Sequence, residues 1–497
     1  MTNLYSKFDL ETASKPEGLR RVAIDTLTRV EGHGKVTLLL DEDGQVQQAR
    51  LHIVEFRGFE KFIQGRPYWE VPVMVQRLCG ICPVSHNLAA SKAMDQIVGV
   101  DELTPTAQCI RRLMHYAQIL QSHALHFFHL SLPDLLFGFD SEVEKRNILG
   151  IALKHPDTAK QGILLRKFGQ EIIRMTTGKR IHGTGNVPGG VQKCLSKEDL
   201  NSLLKDIDSI ISWSLGSVQL AKNLFEALPN NYQHFGEHVC GNMSIVSSRE
   251  DRNGIFDLYD GNLRITDKVG KIWSDDISPN QYGDWISEQV KPWSYMKFPY
   301  LKKLGPEAGW YRVGPLARIQ NCSEMPSELA DLQRKIFIES SPNKIRHQPL
   351  SFHWARMIEM LHAAEVIKEL LLNPAITSDK DLILSGIRRQ EGVGIIEAPR
   401  GTLIHHYQVG DDDLVTKCNL IVSTTHNNQA MNESIRSVAR TYLSGQTLTE
   451  GLLNHIEVAI RAFDPCLSCA THALGKMPLQ IELVNSDSKL IDSISRN

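Results

Sequence analysis

The chain has 497 residues, of which 42% are hydrophobic and 23% charged, and its 55 basic side chains nearly cancel 57 acidic ones. That mix belongs to a folded protein with a sizeable core, and the balance gives no reason to expect nucleic acid or an anionic membrane as partner. No apolar run approaches the roughly 18 residues that would cross a bilayer, so membrane insertion is not expected.

The N-terminal stretch MTNLYSKFDLETASKPEGLRR lacks the apolar segment of a secretory signal. Arg20 and Arg21 lead into VAIDTLTRV, which reads as a strand. There are nine cysteines: Cys79, Cys82, Cys109, Cys194, Cys240, Cys322, Cys418, Cys466 and Cys469. An odd number without a signal argues against a disulfide framework and for a reducing, cytoplasmic setting.

From 22 to 57 the chain reads as β, with KVTLLLDEDGQVQQARLHIV folding back at Asp43-Gly44. Three apolar stripes at helical spacing follow. The first runs through Ile110, Leu113, Ala117, Leu120, Ala124 and Phe127. The second carries Leu204, Ile207, Ile211, Leu215 and Val218, and the third Met357, Met360, Leu361, Ala364, Ile367 and Leu371. Helices with such faces must pack on each other or on a partner. Residues 229–300 read as an irregular insertion with a few short strands. The predicted architecture is α+β and mostly helical. It has a central bundle of long helices, a small N-terminal antiparallel β-sheet and irregular peripheral insertions, within one domain.

Two short cysteine pairs stand at opposite ends of this frame. RLCGICPVSH holds Cys79-x-x-Cys82 with His86 following, and DPCLSCATH holds Cys466-x-x-Cys469 with His472 following. Both fall at helix ends. Gly80 and Pro83 interrupt the apolar run Val71–Leu78, with Ser85 a candidate cap for the next helix. Thr447 and Glu450 resemble a capping box for a helix that Pro465 stops. Turns of this kind let two thiolates point at one ion. Four thiolates suit a structural zinc tetrahedron or a soft nickel site; an iron–sulfur cluster usually gathers its ligands more locally.

The pairs do not stand alone. TRVEGHGKV, EFRGFEKF and EAPRGTLIHHY occur in order around them, and together these motifs resemble the large subunits of nickel–iron hydrogenases, most closely the cytoplasmic, bidirectional, NAD-reducing type. The resemblance runs from about residue 22 to 480. It implies nickel held by Cys79, Cys82, Cys466 and Cys469, with Cys82 and Cys469 bridging to an iron that carries carbon monoxide and cyanide. It implies reversible oxidation of dihydrogen, with electrons leaving through a small subunit with an iron–sulfur cluster to flavin- and NAD-binding diaphorase subunits. Glu31 would relay the proton, a role that suits a carboxyl of tunable pKa. Glu60, the carbonyl of Leu420 and His472 would hold magnesium, a hard ion that prefers oxygen. Arg400 and Thr424 would face the cyanides, His86 would hydrogen-bond a bridging sulfur, and Asp134 would pair with Arg400. A maturation endopeptidase would remove residues 473–497 after nickel insertion, which nickel chaperones assist, leaving a domain of residues 1–472.

Some residues depart from the commoner forms: His426 in place of tryptophan, Ser423 in place of proline, and Ser468 in place of alanine. His123, His126 and His129 recur on one predicted helix and read as core or interface residues in preference to a second metal site. HGTGNVPGGV, with His182, lacks the strand–turn–helix context of a dinucleotide site and is a candidate contact with the small subunit. Related readings are a cytoplasmic hydrogenase serving deazaflavin or polysulfide, and a zinc-stabilised interaction protein.

Overall fold

The computed structural model describes residues 19–291, 293–471, 479–484 and 490–496. The chain is mixed α and β, and helices carry most of the core. Near the N-terminus the strands Arg20–Asp25, Gly34–Leu40 and Val46–Ile53 form an antiparallel sheet in sequence order. The second turn passes through Gly44 at φ 73°, the left-handed conformation that Asp-Gly turns favour.

Four long helices follow: Pro105–Leu125, Pro156–Thr177, Lys197–Glu226 and Ser351–Leu372. Local chemistry starts them. Pro105 and Pro156 occupy first-turn positions whose N–H would go unused, and the side chains of Thr104 and Ser196 cap free amides at Ala107 and Asp199. The Ser351 helix is buried almost all round, as expected of a helix with no polar face. It packs against the Pro105 and Lys197 helices, while the Pro156 helix lies along the Pro105 helix.

The Pro156 helix has no counterpart among the three stripes read from sequence. Two glycines in its interior, Gly162 and Gly169, dilute its apolar pattern, yet they are where it meets its neighbours. A Cβ at Gly162 would fall 2.4 Å from Phe128 Cγ. Gly162→Ala is expected to cost about 1–3 kcal/mol through overpacking, read as a lower thermal midpoint. Gly216→Ala, in the Lys197 helix, meets nothing within 4 Å and is expected to be stabilising by up to about 1 kcal/mol.

Residues 229–300 hold the short strands expected of them. Gly241–Val246, Asn262–Thr266 and Ile272–Ile277 join Tyr311–Arg312 in a four-stranded sheet. A further antiparallel sheet, Glu391–Ala398, Gly401–Val409 and Val415–Ile421, lies on the helix Pro83–Ile97. The approach is close: a Cβ at Gly394 would sit 1.9 Å from the Ala89 carbonyl oxygen. This contact sets the turn at Arg400, and the segment after Ile421, against the start of the Pro83 helix.

Candidate metal centre

The first cysteine pair lies where one helical run ends and another begins. Val71–Val75 tightens into the turn Gln76–Leu78, and Cys79 then turns extended at φ −147°. The amides of Ile81 and Cys82 both donate to Cys79 Sγ at 3.2 Å, which fixes where that sulfur points. Cys82 itself precedes the Pro83 helix as its N-cap, with Pro83 in the first turn. Ser85 is therefore not the cap: the proline moves the start three residues earlier.

The second pair follows the helix Glu450–Phe463. Thr449, not Thr447, caps it, by accepting from the Leu452 amide, so the capping box is not formed. Asp464 ends the helix at φ 56°, Pro465 prevents its continuation, and Cys466 forms a bridge to Glu31. The Leu467 amide donates to the Glu31 carbonyl at 2.9 Å, and the Cys466 amide donates to Thr424 Oγ at 3.0 Å. Two distant segments, at Glu31 and Thr424, thus clamp this turn.

The four sulfurs converge. All lie within 4.8 Å of one another and all four residues are buried. Cys79 and Cys466 are 3.4 Å apart, Cys82 and Cys469 3.8 Å, and Cys466 and Cys469 2.8 Å. Such a set sheds its protons unequally. Hydrogen bonds from Cys466, then Cys469 and Cys79, hold the Cys82 thiol well below its ordinary value, whereas burial pushes Cys466 and Cys469 well above theirs. A cation entering here displaces the remaining protons and neutralises charge that burial otherwise disfavours. Four soft, buried donors fit a thiophilic transition metal.

A cavity of about 10 Å³, lined by Cys82, Cys466, Cys469, His86, Arg400 and Thr424 among others, adjoins the sulfurs. That is the size of one water. Arg400 is 3% exposed, and its Nε has no hydrogen-bond partner among the described residues. Burial works against its charge, but Asp464 and the nearby sulfurs reverse that effect and keep it cationic. Thr424 Oγ accepts from Cys466 and so keeps its proton to give. Two donors therefore border a small space beside three of the sulfurs.

Glu31 meets the centre from the strand side. Its carboxylate lies 3.0 Å from Cys466 Sγ and accepts from the Ser468 amide at 3.2 Å and from the Ser468 hydroxyl. Ser468, which stands out in the sequence only as a departure, is thus what orients Glu31. His86 places Nδ1 3.1 Å from His405 Nε2. Glu60, buried, accepts from the Leu420 amide at 2.9 Å across 360 residues, so two of the three residues read as a magnesium site adjoin; His472 lies outside the described residues.

One pairing is corrected. Asp134 does not meet Arg400. It pairs with Arg29 at 2.6 Å and Arg461 at 3.0 Å, in the first turn of the helix Leu132–Phe137. The partner of Arg400 is Asp464, at 2.9 Å. The left-handed turn at Asp464 swings its carboxylate back under Arg400, which the sequence motif alone does not reveal. The histidines at 123, 126 and 129 are also dispersed, because residues 126–131 wind as a π-helix. His123 bonds Glu359 at 3.0 Å and His126 the Arg461 carbonyl at 2.6 Å, while burial draws the His123 pKa down to about 4. His182 bonds the Cys79 carbonyl at 3.0 Å.

A buried four-thiolate centre joining both ends of a large helix-rich chain defines a metalloprotein. Comparison with known proteins identifies which kind. The model for nickel-dependent hydrogenases matches residues 57–136 and 259–472, and a HoxL-like model matches 21–56. The chain is 45% identical over 492 residues to the beta chain of the NAD-reducing hydrogenase HoxS of Cupriavidus necator, covering 96% of this chain and 100% of that one. It is 40% identical over 483 residues to a chain of the F420-non-reducing hydrogenase of Methanothermobacter marburgensis, covering 95% and 100%. A crystal structure of an NAD+-reducing [NiFe]-hydrogenase in the H2-reduced state superposes with TM-score 0.89 and 57% identity, over 91% of this chain and 99% of that one. The Ni-Fe-Se hydrogenase of Desulfovibrio vulgaris Hildenborough superposes at TM-score 0.73 and 25% identity, over 92% and 100%. The chain belongs to the nickel-dependent hydrogenase family, and its four-cysteine cluster fits that family's nickel–iron site.

Proposed function

We propose that the chain is the catalytic large subunit of a nickel–iron hydrogenase that couples reversible dihydrogen oxidation to NAD through partner subunits. The observation that carries this is the convergence of four buried sulfurs with Glu31 held against one of them. When bound, the nickel–iron pair supplies the capacity to polarise and split dihydrogen. Cys79, Cys82, Cys466 and Cys469 would hold it, Cys82 and Cys469 serving both metals. Arg400 and Thr424 would donate hydrogen bonds to cyanides on iron, and the cavity beside them supports that reading. Arg400 also keeps a positive charge next to the thiolates and is anchored there by Asp464.

Glu31 takes the proton. At 3.0 Å from Cys466 Sγ its carboxylate is within transfer distance. Two donors from Ser468 hold it there, and its partial exposure opens a way to solvent. Glu60 and Leu420, with His472, would hold magnesium. The electrons leave toward a small subunit with an iron–sulfur cluster, near the Cys79 turn that His182 supports, and on to flavin- and NAD-binding subunits. Residues 473–497 would be removed by an endopeptidase once the metals are in place.

The test is purification of the assembled complex under hydrogen, followed by assay and intact-mass measurement. The expected result is hydrogen-dependent reduction of NAD, not of a deazaflavin, by a large subunit ending at residue 472. Active enzyme that retains Asn497 would refute the processing step, and zinc in place of nickel would refute the function.

A further inference from the structure

A file of three buried side chains leads away from the sulfur of Cys82. His86 lines the same small cavity as Cys82, and its ring helps to lower that thiol's pKa. Its Nδ1 is taken by His405 Nε2 at 3.1 Å, which leaves His86 Nε2 for the sulfur. The second nitrogen of His405, Nδ1, lies 2.7 Å from Tyr407 Oη. His86, His405 and Tyr407 are 1%, 0% and 0% exposed. His405 and Tyr407 share one face of the strand Gly401–Val409, as alternate residues do. His406 between them turns the other way, to Tyr282 Oη at 2.9 Å and to Glu391.

The file has a direction. A neutral imidazole carries one N–H and one bare nitrogen. Burial holds the Tyr407 phenol protonated, and a buried hydroxyl proton without an acceptor is costly. Among the described residues, the acceptor within reach is His405 Nδ1. If Tyr407 donates there, His405 must carry its proton on Nε2 and donate to His86 Nδ1. His86 is then left with its proton on Nε2, pointing at Cys82.

We propose that Tyr407 is a positioning residue for the metal centre: its hydroxyl sets the tautomers of His405 and His86 in series, so that His86 presents an N–H to the Cys82 sulfur. The role differs from that of Arg400 and Thr424, because Tyr407 touches neither the sulfurs nor the cavity and acts through two intervening rings. Donation to a metal-bound sulfur withdraws electron density from the metals it bridges. The effect on the metals rests on the reading of the centre given above; the tautomer order does not.

The experiment compares infrared spectra of the wild-type and Tyr407→Phe complexes in the cyanide and carbonyl stretching region. Loss of the hydroxyl frees the tautomers and weakens the N–H donation, so more density stays on iron. The carbonyl band of Tyr407→Phe is expected to move to lower wavenumber in every redox state. Unshifted bands in a variant with full metal content would overturn the proposal. A wild-type complex without such bands would instead overturn the reading of the centre. In that case, or if the variant fails to load metal, the tautomer decides: nitrogen NMR of the wild-type protein labelled with 15N-histidine, the His405 signals assigned by their loss in His405→Gln. The expected state has Nε2 protonated and Nδ1 bare; the reverse tautomer would overturn the proposal.

Discussion

Cys469→Ser is expected to leave a folded chain that retains almost no nickel and oxidises no measurable dihydrogen. Cys469 is fully buried, 2.8 Å from Cys466 Sγ and 3.8 Å from Cys82 Sγ. A serine hydroxyl there is a harder donor and does not ionise in this environment, so one of four soft ligands is lost. Apparent binding energies of about 10–16 kcal/mol for four-ligand structural zinc sites put each donor at roughly 2.5–4 kcal/mol, or about 10²- to 10³-fold in metal retention. Metal analysis of the purified complex, paired with a hydrogen-uptake assay, checks this. Near-normal nickel in the variant would mean that the sulfur is not a ligand.

Glu31→Gln should separate proton movement from metal binding. The amide keeps the shape and an acceptor oxygen for Ser468, so the turn holding Cys466 is preserved and nickel content should not change. It cannot carry a proton. Loss of a positioned acid–base group costs about 10²- to 10⁴-fold in rate, and that is the expected fall in hydrogen oxidation. Conversion between para- and ortho-hydrogen, which needs no proton to reach solvent, should persist, whereas exchange with deuterated water should fall with turnover. Equal losses in both, with nickel retained, would place Glu31 in the splitting of dihydrogen and not in the relay.

What the sequence discloses and what it hides follow from distance along the chain. Each cysteine pair is legible because its spacing is local and its helix-breaking neighbours, Gly80, Pro83 and Pro465, are adjacent in sequence. The contacts that orient the centre are not local. Ser468 reaches Glu31 across 437 residues and Asp464 reaches Arg400 across 64. Neither residue type announces such a partner. Asp134 illustrates the converse error: the motifs offer Arg400 as its partner, while the fold supplies Arg29 and Arg461. The Pro156 helix is hard to read because the glycines that let it pack closely also weaken its apolar period. Helix caps differ by three residues from Ser85 and by two from Thr447, because a first-turn proline and a second threonine in the sequence decide the cap.

Nickel-edge X-ray absorption of the purified complex tests the central claim most directly. The result expected is a nickel ion whose first shell is dominated by sulfur at the number of four, with an iron scatterer beyond it. A sample in which nickel is absent, or bound through nitrogen and oxygen alone, would contradict the proposal that Cys79, Cys82, Cys466 and Cys469 together hold the metal pair.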